Sequence, residues 1–258
     1  MIALLGTLGL WGIVLISDRP GLNWLRTLFI VAPIVLMLGF GYAKKEGNRG
    51  LGAIFYFFIG AFVFWALFEQ AGTSLSLFAD RFTATHVGGI EVPSSWYAAA
   101  NPIFVIILAP LFALLWTRLG DRQPSSPMKF TLGLVFLSLA FGLMVPAARL
   151  AIEGRVSPLW LLGLYFLQTV GEMCISPVGL STFTKVSPRH LVGAMLGVWF
   201  LGAAFGNKFA GVLATQFGEG DASHLDRFFG QQALAVAGIA VVFLALVPWV
   251  KRRMGGVR

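Results

Sequence analysis

The chain has 258 residues, of which 57% are apolar and 12% are charged. A charged fraction of about half the 25% typical of soluble domains cannot cover a globular surface, which excludes a soluble protein, and the single cysteine, Cys174, excludes a disulfide scaffold. The net charge of +8 could suggest nucleic acid, but the positive residues are scattered in short loops between apolar runs, so we expect no nucleic-acid partner.

Apolar runs follow one another along the whole chain. A helix needs about 20 residues to cross a bilayer, and most of the runs reach or approach that length. They are apolar on all sides instead of alternating with a period of two, which favours lipid-embedded helices over transmembrane strands. We therefore expect an all-α membrane protein with eight spans, over residues 2–16, 24–42, 51–78, 97–116, 130–146, 159–185, 191–217 and 231–250.

The lysines and arginines between the runs predict the orientation of the chain. Cytoplasmic loops carry an excess of these residues, so the richer side is expected to be cytoplasmic. This predicts a multi-pass protein of the inner (plasma) membrane with a cytoplasmic C-terminus. The richer side holds Lys44, Lys45, Arg49, Arg118, Arg122, Lys129, Lys185, Arg189, Lys251, Arg252, Arg253 and Arg258. The opposite side holds Arg19, Arg26, Arg81, Arg149, Arg155 and Arg227.

Three ionisable residues, Glu69, Glu172 and Lys208, lie well inside apolar runs. A charge at such a depth costs about 2.5–3.5 kcal/mol even on the lenient insertion scale, so each is expected to face a cavity or a partner. A structural hydrogen bond between helices is the alternative for the two glutamates. For Lys208 the simpler interpretation is a long side chain that reaches the outer surface.

The two glutamates stand in similar surroundings. Each is followed by small and polar residues, at 70–74 and 173–179, where glycine or proline lets a helix bend around a cavity. The two runs are three helices apart, and transporters are often built from three-helix repeats with a site at the repeat interface. Because a carboxyl group in a desolvated cavity favours its neutral form, it can bind a proton or pair with a substrate amine. The two carboxylates therefore indicate proton-coupled transport rather than hydrolysis.

Short motifs in the third to seventh runs form an ordered series. The first motif is FWALFEQAGTSL at 64–75, continued at 77–81, and the second combines 101–102 with 109–113. The third is the segment 124–130. The fourth combines 171–172 with SPVGLS at 176–181, and the fifth combines 195–201 with 206–207 and 210–211. In that order they resemble the seventh helix, the eighth, the loop into the ninth, the tenth and the eleventh of the proton-dependent oligopeptide transporters. These belong to the major facilitator superfamily.

The resemblance implies both a fold and an activity. The fold is the C-terminal six-helix bundle of a major facilitator protein over residues 47–258, preceded by a transmembrane helical hairpin over residues 1–46. The hairpin would match the extra helices that bacterial members carry between their two bundles. The activity is import of di- and tripeptides together with protons, with no other cofactor.

The resemblance also implies a role for individual side chains. Glu172 would hold the amino terminus of the peptide, and Asn101 would approach its backbone or its carboxylate. Trp65 and Trp199 would shape pockets for the peptide side chains, with Ser176 nearby. A cationic amine suits a buried carboxylate, and aromatic walls accept varied side chains.

Two further residues are expected at the outer gate. Glu69 would take part in proton coupling there. Lys208 departs from the family pattern, since it follows Gly206 and Asn207 where an aromatic or apolar residue is expected.

The family's N-terminal bundle carries a Glu-x-x-Glu-Arg signature, and nothing in this chain matches it. A site between two rocking bundles needs both of them. We therefore expect the chain to be a truncated product or the partner of a separately encoded N-terminal bundle.

Two alternatives stay open at this point. The same fold could carry another small solute, such as nitrate, a carboxylate or an amino acid, although Lys208 is then the single cation available to an anion in this half. The chain could also be an inactive membrane protein.

An enzyme is not expected from this sequence. His86, His190 and His224 lie in loops or at helix ends, and no metal-ligand spacing joins them, so no metal site is expected. Cys174 lies within a predicted helix, as a small packing residue would.

Overall fold

The computed structural model of the protein describes residues 51–87, 90–187, 192–218 and 222–254. The predicted hairpin over residues 1–46 lies outside the described residues. Within them, the chain is built almost entirely of helices. These are α1 (Leu51–Phe68), α2 (Ser74–Phe82), α3 (Ser95–Ala98), α4 (Ala100–Leu119), α5 (Ser126–Leu150), α6 (Leu159–Val186), α7 (Val192–Ala214) and α8 (Leu225–Arg253), with 3₁₀ turns at Glu69–Gly72 and Gly120–Arg122.

Six stretches of the described residues are long and apolar enough to cross a membrane. They are Gly52–Phe82, Ser95–Arg122, Ser126–Leu150, Leu159–Val186, Val192–Ala214 and Leu225–Arg253. Each coincides with one of the third to eighth apolar runs, so the expected all-α class and the six helices of the bundle are confirmed. Two strands of two residues each, β1 (His86–Val87) and β2 (Ile90–Glu91), pair antiparallel in the polar loop between α2 and α3.

The bundle is assembled around α5, which packs against both α6 and α8. Aromatic side chains fill the core: Phe57, Phe130, Phe141 and Phe229 are almost completely buried. α1 packs mainly against α7, while α4 packs mainly against α6. α4 leaves apolar side chains such as Ile106 exposed, which suits a helix in an apolar surrounding.

The third run is not one continuous helix. α1 ends at Phe68, the 3₁₀ turn Glu69–Gly72 follows, and α2 begins at Ser74. The side chain of Gln70 is buried in this turn and donates a hydrogen bond to Gln232 of α8. The small and polar residues after Glu69 thus interrupt the helix. α6, by contrast, continues through Pro177 without a change of helix type.

α8 begins at Leu225, well before the start of the eighth apolar run near residue 231. Its first turns bury Phe228 and Phe229 against the core. Asp226 lies in the first turn, where a negative charge suits the helix dipole, and it forms an exposed ion pair with Arg149 at 3.2 Å. These residues place the end of α5 beside the start of α8.

The contact between α1 and α7 depends on Gly206. A Cβ at this position would lie 2.6 Å from Trp65 Cβ and 2.7 Å from the backbone nitrogen of Ala66, so any side chain would push the two helices apart. We expect Gly206→Ala to destabilise the protein by about 1–3 kcal/mol, the usual cost of overpacking. Thermal unfolding of the purified protein in detergent measures this.

A matched control lies on the same helix. A Cβ at Gly197 would meet no atom within 4 Å, so Gly197→Ala should leave the unfolding temperature unchanged or raise it slightly. Equal unfolding temperatures for the Gly206 and Gly197 variants would contradict the close approach of α1 and α7.

Candidate functional site

Glu172 forms the centre of a polar cluster between α4 and α6. Asn101, near the start of α4, donates from Nδ2 to Glu172 Oε2 at 3.3 Å and to Thr169 Oγ1 at 3.0 Å. Thr169 and Glu172 are three residues apart on α6 and therefore lie on one face of the helix. The Thr169 hydroxyl in turn donates to the Tyr165 carbonyl at 2.7 Å. This chain of hydrogen bonds fixes the carboxylate while leaving Glu172 half-buried.

Glu69 lies in the 3₁₀ turn that follows α1 and is also half-buried. Asn207 of α7 donates from Nδ2 to Glu69 Oε2 at 3.4 Å. Asn207 reaches the turn because its neighbour Gly206 brings α7 into contact with the backbone of α1. The position of the Glu69 carboxylate therefore depends both on the 3₁₀ turn that interrupts the third run and on Gly206 of α7.

Glu69 and Glu172 are both half-buried carboxylates. Within residues 51–254, as far as the structure describes them, neither Glu69 nor Glu172 lies in a salt bridge with a lysine or arginine. Their side-chain hydrogen-bond partners among the described residues are the neutral amides of Asn207 and Asn101. Two half-buried carboxylates with neutral partners leave a negative charge that a proton or a cationic ligand can compensate.

The aromatic residues singled out from the sequence lie in two different environments. Trp65 is half-buried, packs edge-on against Phe64 and Phe68, and leaves its Nε1 without a hydrogen-bond partner. Trp199 is 3% exposed, and its ring lies over Gly179 of α6 in the packed core. Trp65 is thus near a surface of the bundle, whereas Trp199 is enclosed by its helices.

The last two predicted residues, Ser176 and Lys208, lie on different helices. Ser176 lies one turn beyond Glu172 on α6, and its hydroxyl is buried without a partner. Lys208 is exposed on α7, next to Asn207. The structure therefore brings Asn101 directly to Glu172, and it places Lys208 beside the residue that binds Glu69.

Thr169 is the residue of this cluster that the sequence analysis missed. Its signal was available, because a hydroxyl three residues before an intramembrane glutamate on a helix lies on the same face. Gln168, its neighbour, is fully buried and has an unpartnered amide, and no signal in the sequence distinguishes it from an exposed glutamine.

A sequence profile described as the POT family matches residues 21–234. The chain belongs to the POT family. The resemblance drawn from the motifs is thereby confirmed, and the chain is a multi-pass membrane protein of a transporter family.

Curated relatives of this POT chain are about twice its length. It is 39% identical over 254 residues to an uncharacterized transporter, YclF, of Bacillus subtilis, covering 95% of this chain and 51% of the relative. It is 33% identical to the peptide transporter YePEPT of Yersinia enterocolitica, covering 85% and 44%. It is 31% identical to a di-/tripeptide transporter of Lactococcus lactis, covering 92% and 49%. The chain spans about half the length of these relatives.

Solved POT structures match the fold over nearly the whole chain. A crystal structure of a peptide transporter POT in complex with sulfate matches with a TM-score of 0.82 and 30% identity, covering 98% of this chain and 52% of that one. A variant of a POT peptide transporter in complex with alafosfalin matches with a TM-score of 0.78 and 31% identity, covering 97% and 48%. The POT chain therefore has the fold of half of such a transporter.

Proposed function

We propose that the chain is the half of a proton-coupled di- and tripeptide symporter that supplies the carboxylates for the peptide amine and for the proton. The transport site would lie between this bundle and an N-terminal bundle. The observation that carries the proposal is Glu172, a half-buried carboxylate that accepts from Asn101 and has no cationic partner among the described residues. Asn101 is itself held by Thr169.

The peptide amine is the proposed ligand of Glu172. An ammonium group supplies the positive charge and the N–H donors that a half-buried carboxylate requires. Asn101 would also meet the peptide backbone or its carboxylate, since its amide stands beside Glu172. Trp65, Trp199 and Ser176 remain proposals for the surroundings of the peptide side chains.

The proton is the proposed coupling ion, and no other cofactor is proposed. Glu69 would carry it, because its side-chain hydrogen-bond partner, Asn207, is neutral and no cation among the described residues pairs with it, so that uptake of a proton would compensate its charge. Lys208 would contribute at the same gate through its exposed ammonium group beside Asn207.

The proposed location is the inner (plasma) membrane with a cytoplasmic C-terminus. The excess of lysine and arginine in alternate loops supports this orientation. The last turn of α8 carries three basic residues, Lys251, Arg252 and Arg253. It lies at the same end of the bundle as the loop 120–125 before α5, as expected if both are on the cytoplasmic side.

The test is peptide uptake by a chimera in which this chain follows the first half of the Lactococcus lactis relative. We expect proteoliposomes with an inward proton gradient to accumulate a labelled dipeptide. Excess unlabelled tripeptide should compete, whereas nitrate, a dicarboxylate and a free amino acid should not. If the chimera accumulates one of these other solutes and no dipeptide, di- and tripeptides are rejected as the substrate. The same holds if one of these solutes, and not the tripeptide, competes with uptake of the labelled dipeptide.

A further inference from the structure

A cavity of about 280 Å³ opens at the end of the bundle where α8 ends. Its walls come from the loop that follows α4, the first turn of α5, the second half of α6 and the end of α8. It therefore lies at the ends of the helices, where lipid headgroups meet protein, and away from Glu172 in the middle of α6. Three lysines line it: Lys129, Lys185 and Lys251.

Lys129 is the inner wall of the cavity and is 8% exposed. Its ammonium group donates to Gln123 Oε1 at 2.7 Å and stands 4.2 Å from the centre of the Trp116 ring. An amide oxygen and an aromatic face orient a cation without neutralising it. The buried end of the cavity thus holds a positive charge in contact with a neutral amide and an aromatic ring.

The other charges around the cavity add to this one. Lys185 and Lys251 are exposed at its opening, so that three lysine side chains line the same small volume. Asp121 is the single acidic residue in the lining. Three lysines against one aspartate leave an excess of positive charge even where Asp121 engages one of them.

The N-terminus of α5 also favours an anion in this cavity. Ser125 and Ser126 line the cavity, and no side chain caps this end of the helix. Pro127 in this turn has no N–H, but the remaining uncapped N–H groups and the helix dipole together favour an anion at a helix N-terminus. The lysines and the helix start thus supply charge and hydrogen-bond donors to the same small volume.

We propose that this cavity binds the phosphate of an anionic phospholipid headgroup. Phosphate matches the donors present, and basic pockets between membrane helices are sites for anionic headgroups. The volume is below the roughly 300–1,000 Å³ of a drug-sized ligand pocket, which suits a headgroup. The position at the helix ends favours a lipid over free inorganic phosphate. The proposal does not depend on peptide transport.

The experiment is lipid titration of the purified 258-residue chain in a neutral detergent, with bound lipid counted by native mass spectrometry. Phosphatidylglycerol, phosphatidylcholine and inorganic phosphate are the three probes. We expect one tightly retained phosphatidylglycerol and no comparable retention of phosphatidylcholine. Lys185→Gln with Lys251→Gln should weaken phosphatidylglycerol binding by about 30-fold, from the usual contribution of a lysine near an anionic lipid.

A matched double variant removes the same number of charges outside the cavity. Lys208→Gln with Arg252→Gln changes two exposed cations, one of them next to Lys251, and should leave binding unchanged. Lys185→Arg with Lys251→Arg should retain it. Equal weakening in both glutamine variants, equal retention of phosphatidylcholine, or binding of inorganic phosphate without selective retention of phosphatidylglycerol would each overturn the proposal.

Discussion

We expect Glu172→Gln to abolish dipeptide uptake by the chimeric transporter. Glutamine keeps the size of the side chain and can still accept from Asn101, but it loses the charge that compensates the peptide amine. Removing one partner of a buried, hydrogen-bonded charge pair costs about 2–5 kcal/mol, so peptide affinity should fall by about 30-fold or more. Dipeptide binding and uptake in proteoliposomes measure this loss.

Two further variants separate a binding role from a loss of folding. Glu153→Gln changes an exposed glutamate in the loop after α5 and should transport normally. Asn101→Ala removes the amide from Glu172 and leaves the charge, so it should weaken uptake less than Glu172→Gln does. Normal dipeptide uptake by the Glu172 variant would remove this residue from the site.

Glu69→Gln should uncouple transport from the proton gradient. The side chain can still accept from Asn207, but it no longer takes up a proton. One proton moved through about 100 mV supplies about 2.3 kcal/mol, enough for about 50-fold accumulation of a neutral solute. With Gln at this position, we expect the internal dipeptide concentration to rise no higher than the external one.

Exchange of peptide across the same membrane distinguishes coupling from binding. Exchange of labelled for unlabelled dipeptide needs no net proton movement, so the Glu69 variant should retain exchange while the Glu172 variant loses it. Proton-driven accumulation at the unmodified level by the Glu69 variant would exclude Glu69 as the coupling group.

The helices could be predicted from the sequence because lipid permits few alternatives. Each apolar run must satisfy its backbone groups internally, which fixes both the helix and its approximate length. The ends were less predictable because they depend on partners elsewhere in the chain. α8 begins at Leu225 because Phe228 and Phe229 are buried in the core and Asp226 forms an ion pair with Arg149. No local pattern contains that information.

The candidate site was predictable in its charges but not in its partners. Glu69 and Glu172 stand out because a charge inside an apolar run is costly. Their hydrogen bonds to Asn207 and Asn101 join residues far apart in sequence, and only helix packing decides which amide reaches which carboxylate. The enclosed position of Trp199 likewise depends on its packing over Gly179 of another helix. The sequence does not show that these two residues are in contact.

The hydrogen bond from Asn101 gives the two oxygens of Glu172 different environments. The amide engages Oε2, while no hydrogen bond from a residue that the structure describes reaches Oε1. The carboxylate is thus held in one orientation with an oxygen to spare. A ligand that takes Oε1 need not break the contact between α4 and α6 or immobilise a freely rotating side chain. The entropy of ordering this group is thus lost on folding and not on binding, which leaves more of the interaction energy for the ligand.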